Sequence, residues 1–201
     1  MSPIRGIRPL LSGLDNPVLP PLASPMQHAA SERIAAAVRD VPDFPKQGII
    51  FKDITPLLSD GPLFKESIDL FLDACRPLKP NKIVGIDARG FLFGSAVAYQ
   101  LGIGFIPVRK KGKLPYQTKE TSYTLEYGQA TVEMHIDAVN PGDRIVLIDD
   151  LLATGGTSAA AAKLISQAGG NLLEAQFLIE LAFLNGRALL SPIPVRSFLT
   201  Y

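Results

Sequence analysis

Between Arg144 and Thr157 the chain reads Arg-Ile-Val-Leu-Ile-Asp-Asp-Leu-Leu-Ala-Thr-Gly-Gly-Thr, and its second half carries groups that bind rather than pack. Asp149 and Asp150 stand side by side, where carboxylates accept hydrogen bonds from vicinal hydroxyls or hold a hydrated Mg²⁺. Thr154 and Thr157 bracket Gly155 and Gly156. Without Cβ atoms these two glycines let the backbone take positive φ and let an anion touch its N–H groups. The run that follows, Ser158-Ala-Ala-Ala-Ala-Lys-Leu-Ile, is a strong helix former. A helix beginning near Thr157 adds unpaired N–H donors and the positive end of its dipole. The two aspartates repel a phosphate, so the anion belongs on the threonine–glycine turn and a diol or metal on the acids. A ribose 5-phosphate has that shape and charge. Glycines at a strand-to-helix turn are ordinarily turn chemistry alone; two acids and two threonines at fixed offsets tip the reading toward a binding site. The spacing matches neither the Gly-x-x-x-x-Gly-Lys-Ser/Thr loop nor the Gly-x-Gly-x-x-Gly fingerprint.

The elements that must position these groups follow from hydrophobic pattern. Ile145–Ile148 is an unbroken apolar run rich in β-branched residues, which predicts a strand buried on both faces of a parallel sheet. Lys82–Ile86 and Ile103–Val108 read the same way, and each delivers charge at its carboxyl end: Asp87-Ala-Arg-Gly after the first, Arg109-Lys-Lys-Gly-Lys after the second. Arg89 therefore lies where open α/β sheets bind ligands. The helix after it runs to about Leu101, with Gly102 as its stop. Gly61-Pro62 opens another helix, with Phe64, Ile68, Phe71 and Cys75 as its buried stripe and Pro77 and Pro80 as its end. A helix is predicted over about Ala29–Asp40, ended by Pro42. Leu172–Phe183 reads as a long buried strand interrupted by Glu180, a carboxylate that needs a partner, and Val195–Leu199 as the last strand. Strands alternating with helices predict a doubly wound α/β fold, a mostly parallel sheet flanked by helices.

Three stretches fit no regular element. Residues 1–25 hold six prolines and predict a mobile extension, leaving residues 26–201 as one domain. Residues 42–58, with Pro45 and Gly48 shaping a bend around Phe51, read either as a surface loop with one anchoring phenylalanine or as a cover in which Phe51 stacks on a flat ring. Residues 109–127 begin with four cations in five residues and continue through a polar run, the profile of a mobile lid. Ala130–Ile136 alternates as a half-exposed strand, with Glu133 and His135 on its polar side.

Composition narrows the classes. The chain has 201 residues, 47% apolar, enough for one sizeable core, and its formal net charge of +1 calls for neither nucleic acid nor an anionic membrane. One cysteine, Cys75, fits a reducing compartment and core packing, and two histidines, His28 and His135, make a histidine metal site improbable. No apolar run approaches the ~20 residues of a membrane span.

On the quoted residues, Val-Leu-Ile-Asp-Asp-Leu-Leu-Ala-Thr-Gly-Gly-Thr resembles the phosphoribosyl-pyrophosphate (PRPP) motif of the type I phosphoribosyltransferases, and its latter half resembles their adenine-specific branch. The likeness runs in order from about Ile34 onward. It implies pentosyl transfer: ribose 5-phosphate passes from PRPP to N9 of adenine, giving AMP and pyrophosphate. It implies that Asp149, Asp150, Ala153, Thr154, Gly155, Gly156 and Thr157 hold ribose and phosphate, and that Arg89, Lys110 and Lys113 grip pyrophosphate. It implies that residues 42–58 form a small hood over the purine and that Ile50, Phe51, Lys52 and Leu181 fall around adenine, although many members carry arginine at the position of Lys52. Glu126 takes the place of the proton-handling carboxylate, Arg89 and Lys113 assist the chemistry, and Tyr127 lies on the lid. A non-proline cis peptide between Asp87 and Arg89 is typical of the family. So are Mg²⁺ held through pyrophosphate and water, with Asp149 or Asp150 as a further ligand, a homodimer and a cytoplasmic setting. Two rivals stand beside this reading. One is the same transfer to hypoxanthine, guanine, xanthine or orotate. The other is a PRPP-sensing regulator that binds nucleic acid, disfavoured because residues 1–25 are too short and proline-rich for a winged helix.

Overall fold

A computed structural model describes residues 25–124 and 129–201. The apolar run that anchors the sequence reading lies mid-sheet: Ile145, Val146, Leu147 and Ile148 are all fully buried. Their strand belongs to a seven-stranded sheet whose members are β3 (Lys82–Ile86), β4 (Gly104–Lys110), β5 (Thr118–Thr124), β6 (Gln129–His135), β7 (Arg144–Leu152), β8 (Asn171–Glu180) and β9 (Val195–Thr200). They lie in the order β5-β6-β4-β3-β7-β8-β9. The five strands from β4 to β9 in that order pair parallel, and β6 and β5 add an antiparallel edge beside β4.

Strand alternation divides the core between two faces. Val84, Ile86, Ile145 and Leu147 pack against α5 (Gly156–Gln167), a helix rich in small residues. Ile83, Val146, Ile148 and Leu178 face the other way, toward α1 (Pro25–Ala37), α2 (Thr55–Ser59), α3 (Gly61–Leu78) and α4 (Arg89–Leu101). Helices thus cover both faces, as the alternation predicted. The end of α4 at Gly102, in the left-handed region at φ 66°, also matches. Among the described residues no helix is long and apolar enough to cross a membrane.

Several boundaries differ from the sequence reading. The first helix starts earlier, with Pro25 in its first turn, and stops at Ala37. Residues 39–42 form β1 (Arg39–Pro42) instead of more helix, because they pair antiparallel with β2 (Ile50–Asp53) and make the hood a two-stranded hairpin. Pairing overrides the helical spacing of Val38 and Val41. Residues 118–124, predicted as irregular lid, are strand β5, hydrogen-bonded along their whole length to β6. Pro77 lies inside the last turn of α3, which closes at Leu78. β8 ends at Glu180, where the chain turns through a short 3₁₀ segment, Ala182–Leu184, instead of running on to Phe183.

Candidate active site

The strand that carries the acid pair, β7, runs through it to Leu152 before the chain turns. Gly155 holds φ 82° at the N-cap of α5, which has no side-chain cap. The first N–H groups of α5 are therefore left for a ligand. Gly155 also lies against Gly186: a Cβ on either would run into the backbone of the other's segment, at 2.8 Å from Gly155 N in the case of Gly186. The turn is thus backed by main chain, which fixes its shape. A second uncapped helix N-terminus, that of α4, begins at Arg89 in the neighbouring β3–α4 turn. The Asp87–Ala88 peptide in that turn is cis, as the resemblance implied.

Arg89 closes this end of the site. Its Nε lies 2.7 Å from Asp150 Oδ2, and Asp150 is buried. Asp149 Oδ1 accepts the Asp150 backbone N–H at 2.9 Å. Burial raises the pKa of Asp149 well above the ordinary carboxylate range, and the neighbouring charge of Asp150 adds to the rise. Burial raises Asp150 as well, although Arg89 pulls it down. Hydroxyl donors or a cation beside the pair favour its charged form. The α4 helix approaches this pair through Gly90, where a Cβ would stand only 2.7 Å from Asp149 Oδ1.

The cationic turn after β4 is organised by a residue that sequence reasoning placed on a solvated face. Glu133 is buried, and its Oε1 accepts the backbone N–H groups of Lys113 and Leu114, each at 2.8 Å. Burial by itself raises its pKa, but the backbone donors of Leu114, Gly112 and Lys113 outweigh it and leave the group below its ordinary value. Arg109 is tied down from both sides, with Nε to Asp87 Oδ2 at 2.9 Å and Nη1 to the Lys113 carbonyl at 2.9 Å. His135 is half-buried: its Nε2 is buried without a hydrogen-bond partner, and its ring meets Tyr116 edge-on at 6.1 Å. Strand β5 lies along α5, with Lys119 Nζ 3.3 Å from the Gln167 carbonyl at one end of the helix. At the other end Thr157 Oγ1 donates to the Tyr123 hydroxyl oxygen at 2.9 Å. Glu126 and Tyr127 lie outside the described residues.

One cleft of about 180 Å³ gathers Asp87, Arg89, Arg109, Lys110, Tyr123, Asp149, Asp150 and Thr157 at the carboxyl ends of β3, β4 and β7. Of the predicted residues it therefore unites Asp149, Asp150, Thr157, Arg89 and Lys110. Ala153 is half-buried and Thr154 exposed in the same turn, while Lys113 is exposed and does not line the cleft. Tyr123, Asp87 and Glu133 were not singled out from the sequence. For Tyr123 a signal existed, an aromatic in a run rich in threonine. A larger groove of about 390 Å³ between α1 and α3 shares no residue with the cleft.

The hood joins the cleft through Arg89, whose guanidinium lies over the Phe51 ring at 5.2 Å from its centroid. Phe44 packs edge-on against the same ring at 5.2 Å. Ile50 is mostly exposed. Leu181 follows Glu180 and donates its N–H to the Leu152 carbonyl at 2.9 Å, which puts it beside the end of β7. Glu180 has the partner that its burial demanded: Arg187 approaches with two nitrogens, and the Ser197 hydroxyl makes a further short bond. The Lys52 ammonium is committed elsewhere, to Asp40 Oδ1 at 2.7 Å and to the Tyr201 ring.

Among the described residues no group of three or more His, Cys, Asp or Glu side chains could hold a metal. The donor set is the acid pair alone, which fits Mg²⁺ as a cation that keeps waters and takes substrate oxygens beside one or two carboxylates.

A parallel sheet with an acid pair and an open helix start at the end of its central strand is the frame of a phosphoribosyl-transfer site. The chain belongs to the phosphoribosyltransferase family, since the family model described as phosphoribosyl transferase domain matches residues 60–183. Its relatives narrow the family to one branch. The adenine phosphoribosyltransferase of Acidothermus cellulolyticus is 54% identical over 168 residues, 84% of this chain and 95% of that one. The crystal structure of adenine phosphoribosyltransferase from Thermoanaerobacter pseudethanolicus superposes with TM-score 0.83 at 49% identity, covering 85% of this chain and 99% of that one. The Saccharomyces cerevisiae enzyme, solved with an imino-altritol bisphosphate and adenine, gives TM-score 0.81 at 41% identity, covering 85% and 98%. With these likenesses the chain stands among the adenine phosphoribosyltransferases.

Proposed function

We propose that the cleft catalyses transfer of the 5-phosphoribosyl group of PRPP to N9 of adenine. The bond from ribose C1 to pyrophosphate breaks, the bond from C1 to N9 forms, and the N9 proton passes to a base. The observation that carries the reading is the convergence of Asp149, Asp150, Arg89 and the open start of α5 in one cleft. The backbone of Gly155–Thr157, with the Thr154 and Thr157 hydroxyls, receives the 5-phosphate, and Ala153 leaves room beside it. The acid pair accepts the ribose hydroxyls, and its charge lies beneath a ring that becomes cationic as pyrophosphate departs. Arg89 and Lys110 meet the leaving anion, with Lys113 brought in when the β4–β5 turn moves. Asp149 or Asp150, together with pyrophosphate oxygens and water, would hold Mg²⁺, which would supply neutralising charge to the leaving group. Phe51, the backbone of Ile50 and Lys52, and Leu181 enclose the base, Glu126 accepts the N9 proton, and Tyr127 closes over the ribose. A cytoplasmic homodimer is the matching assembly.

Incubation of labelled adenine, hypoxanthine, guanine, xanthine and orotate with PRPP and Mg²⁺ tests the reading. AMP formation far above the other nucleotides is the expected result. IMP, GMP or orotidylate as the main product, or no transfer at all, refutes it.

A further inference from the structure

We infer that Tyr201 is a positioning residue that holds the roof and the floor of the base pocket at a fixed separation. The inference rests on the proposal that Phe51 and Leu181 enclose the base. On the floor side, the Tyr201 N–H donates to the Glu180 carbonyl at 2.9 Å, and the Tyr201 carbonyl accepts from Ala182 N at 2.9 Å. These two bonds clasp the chain on either side of Leu181, which the Leu152 carbonyl holds from a third direction. On the roof side, the Lys52 ammonium sits 3.8 Å from the centroid of the Tyr201 ring. Lys52 follows Phe51 in β2, so a tether on Lys52 is a tether on Phe51.

The tether is well built for that task. The Lys52 side chain is 13% exposed and its ammonium also pairs with Asp40 Oδ1 at 2.7 Å, so the cation is oriented and partly desolvated before it meets the ring. An ammonium over a tyrosine face is stronger in such a setting than on an open surface. Arg39 pairs with Asp53 within the hairpin and donates to the Thr55 hydroxyl at its base. From the cleft itself the hood is held by Arg89 over the Phe51 ring, a contact of 5.2 Å. Tyr201 therefore supplies a second hold, on the opposite side of β2, and the two together set how far Phe51 stands from Leu181. The Tyr201 ring matters for its face, because it is the face that Lys52 meets.

Steady-state kinetics on the full chain, with adenine and PRPP varied separately, test this. Tyr201→Ala is expected to raise KM for adenine about three- to tenfold, the range of one partly desolvated cation–π contact, while kcat and KM for PRPP stay within about twofold. Tyr201→Phe keeps the aromatic face and restores KM for adenine. Should Tyr201→Ala fail to fold, Tyr201→Leu, which keeps bulk but has no π face, takes its place with the same expected split. Unchanged KM for adenine, an equal rise for both substrates, or a Tyr201→Phe enzyme as impaired as Tyr201→Ala overturns the inference. Phe51→Ala separates the two readings: with a raised KM for adenine there, a normal Tyr201→Ala enzyme overturns only the tether. A wild-type KM for adenine in Phe51→Ala overturns the pocket assignment and the tether with it.

Discussion

Gly90→Ala is the sharpest probe of how the acid pair is positioned, because the perturbation is one methyl group aimed at one carboxylate. The added Cβ would lie 2.7 Å from Asp149 Oδ1, 2.9 Å from the Ile148 carbonyl oxygen and 3.1 Å from Asp149 Cα, where ordinary contact begins at 3.4 Å. Relief takes a displacement of about 0.5–0.7 Å between α4 and β7, since two of the three obstacles are main chain and cannot swing away. Asp149 Oδ1 is pinned as well by the Asp150 N–H. Overpacking of this size costs about 1–3 kcal/mol. In a chain of this length that lowers Tm by roughly 2–12 °C.

The functional cost is separable. A misplacement of ~1 Å at a reacting centre can lose ~10²-fold in rate, so half that displacement should lower kcat/KM for PRPP by roughly tenfold. KM for adenine should change much less, because the hood and Leu181 are not in the collision. Gly94→Ala is the control: its Cβ would meet the Phe105 ring at 3.0 Å, in the core of the same helix interface and away from the acids. That variant should lose stability and keep its kinetics. Thermal melts paired with initial rates decide the matter. Gly90→Ala with a lowered Tm and a normal kcat/KM for PRPP would show that the position of Asp149 is not critical, and the site assignment would fail at its centre.

Glu126→Gln should lower kcat by roughly 10²–10⁴ with a smaller change in either KM; steady-state rates at wild-type level would remove Glu126 from the chemistry. In the ligand-free site the Thr157 hydroxyl proton is spent on Tyr123, so Tyr123→Phe should free it for phosphate and tighten ribose 5-phosphate by about two- to fivefold, the worth of a modest neutral hydrogen bond. Calorimetric titration showing weaker binding instead would make Tyr123 a helper of the anion. Arg187→Ala strands Glu180, whose side chain is 8% exposed, but the Arg187 side chain is 48% exposed. The loss should therefore fall at about 2–4 kcal/mol, toward or below the low end of the range for a broken buried pair. Arg187, then Ser197, hold the Glu180 pKa below its ordinary value despite burial. That stabilisation is complete above the unfolded value of about 4.3 and is lost as pH falls through the lowered folded value. Urea melts should accordingly show the gap between wild type and Arg187→Ala shrinking below about pH 4; a gap that widens there would refute the pairing.

What the sequence disclosed depended on whether local pattern or distant pairing decided each element. Ile145–Ile148 announced a doubly buried strand because every position is apolar, and the glycine turn announced the start of α5, so the centre of the site was legible residue by residue. Arg39–Pro42 were not, because Ile34, Ala37, Val38 and Val41 keep helical spacing and only the register Val41 with Phe51 makes them a strand. Thr118–Thr124 were passed over for want of apolar residues. Their threonines and Tyr123 have high β propensity, yet it is β6 and α5 that turn propensity into strand. Glu133 defeated the alternation rule because its partners are backbone N–H groups of a turn 20 residues earlier, and backbone donors leave no mark in a sequence. Proline at the start of α2 was a signal available and unused.

The charges of the cleft explain why its parts lie so close. Asp87, Asp149 and Asp150 face Arg89, Arg109 and Lys110, so the lining is balanced before any substrate enters. Arg109 is already paired with Asp87, and Arg89 with Asp150. On the proposed reading, a polyanion such as PRPP would meet side chains that are largely paired already, and would draw as well on the starts of α4 and α5, neither of which has a side-chain cap. Backbone donors do not titrate, so on that reading they would hold the phosphate ends while the side-chain ion pairs exchange partners. Arg89 is the pivot of that exchange. It touches Asp150 on the ribose side and Phe51 on the base side, so any ligand that draws its guanidinium away from Asp150 also shifts the support under Phe51. On the proposed reading, pyrophosphate release and the support of the base by Phe51 would thereby be coupled through one side chain.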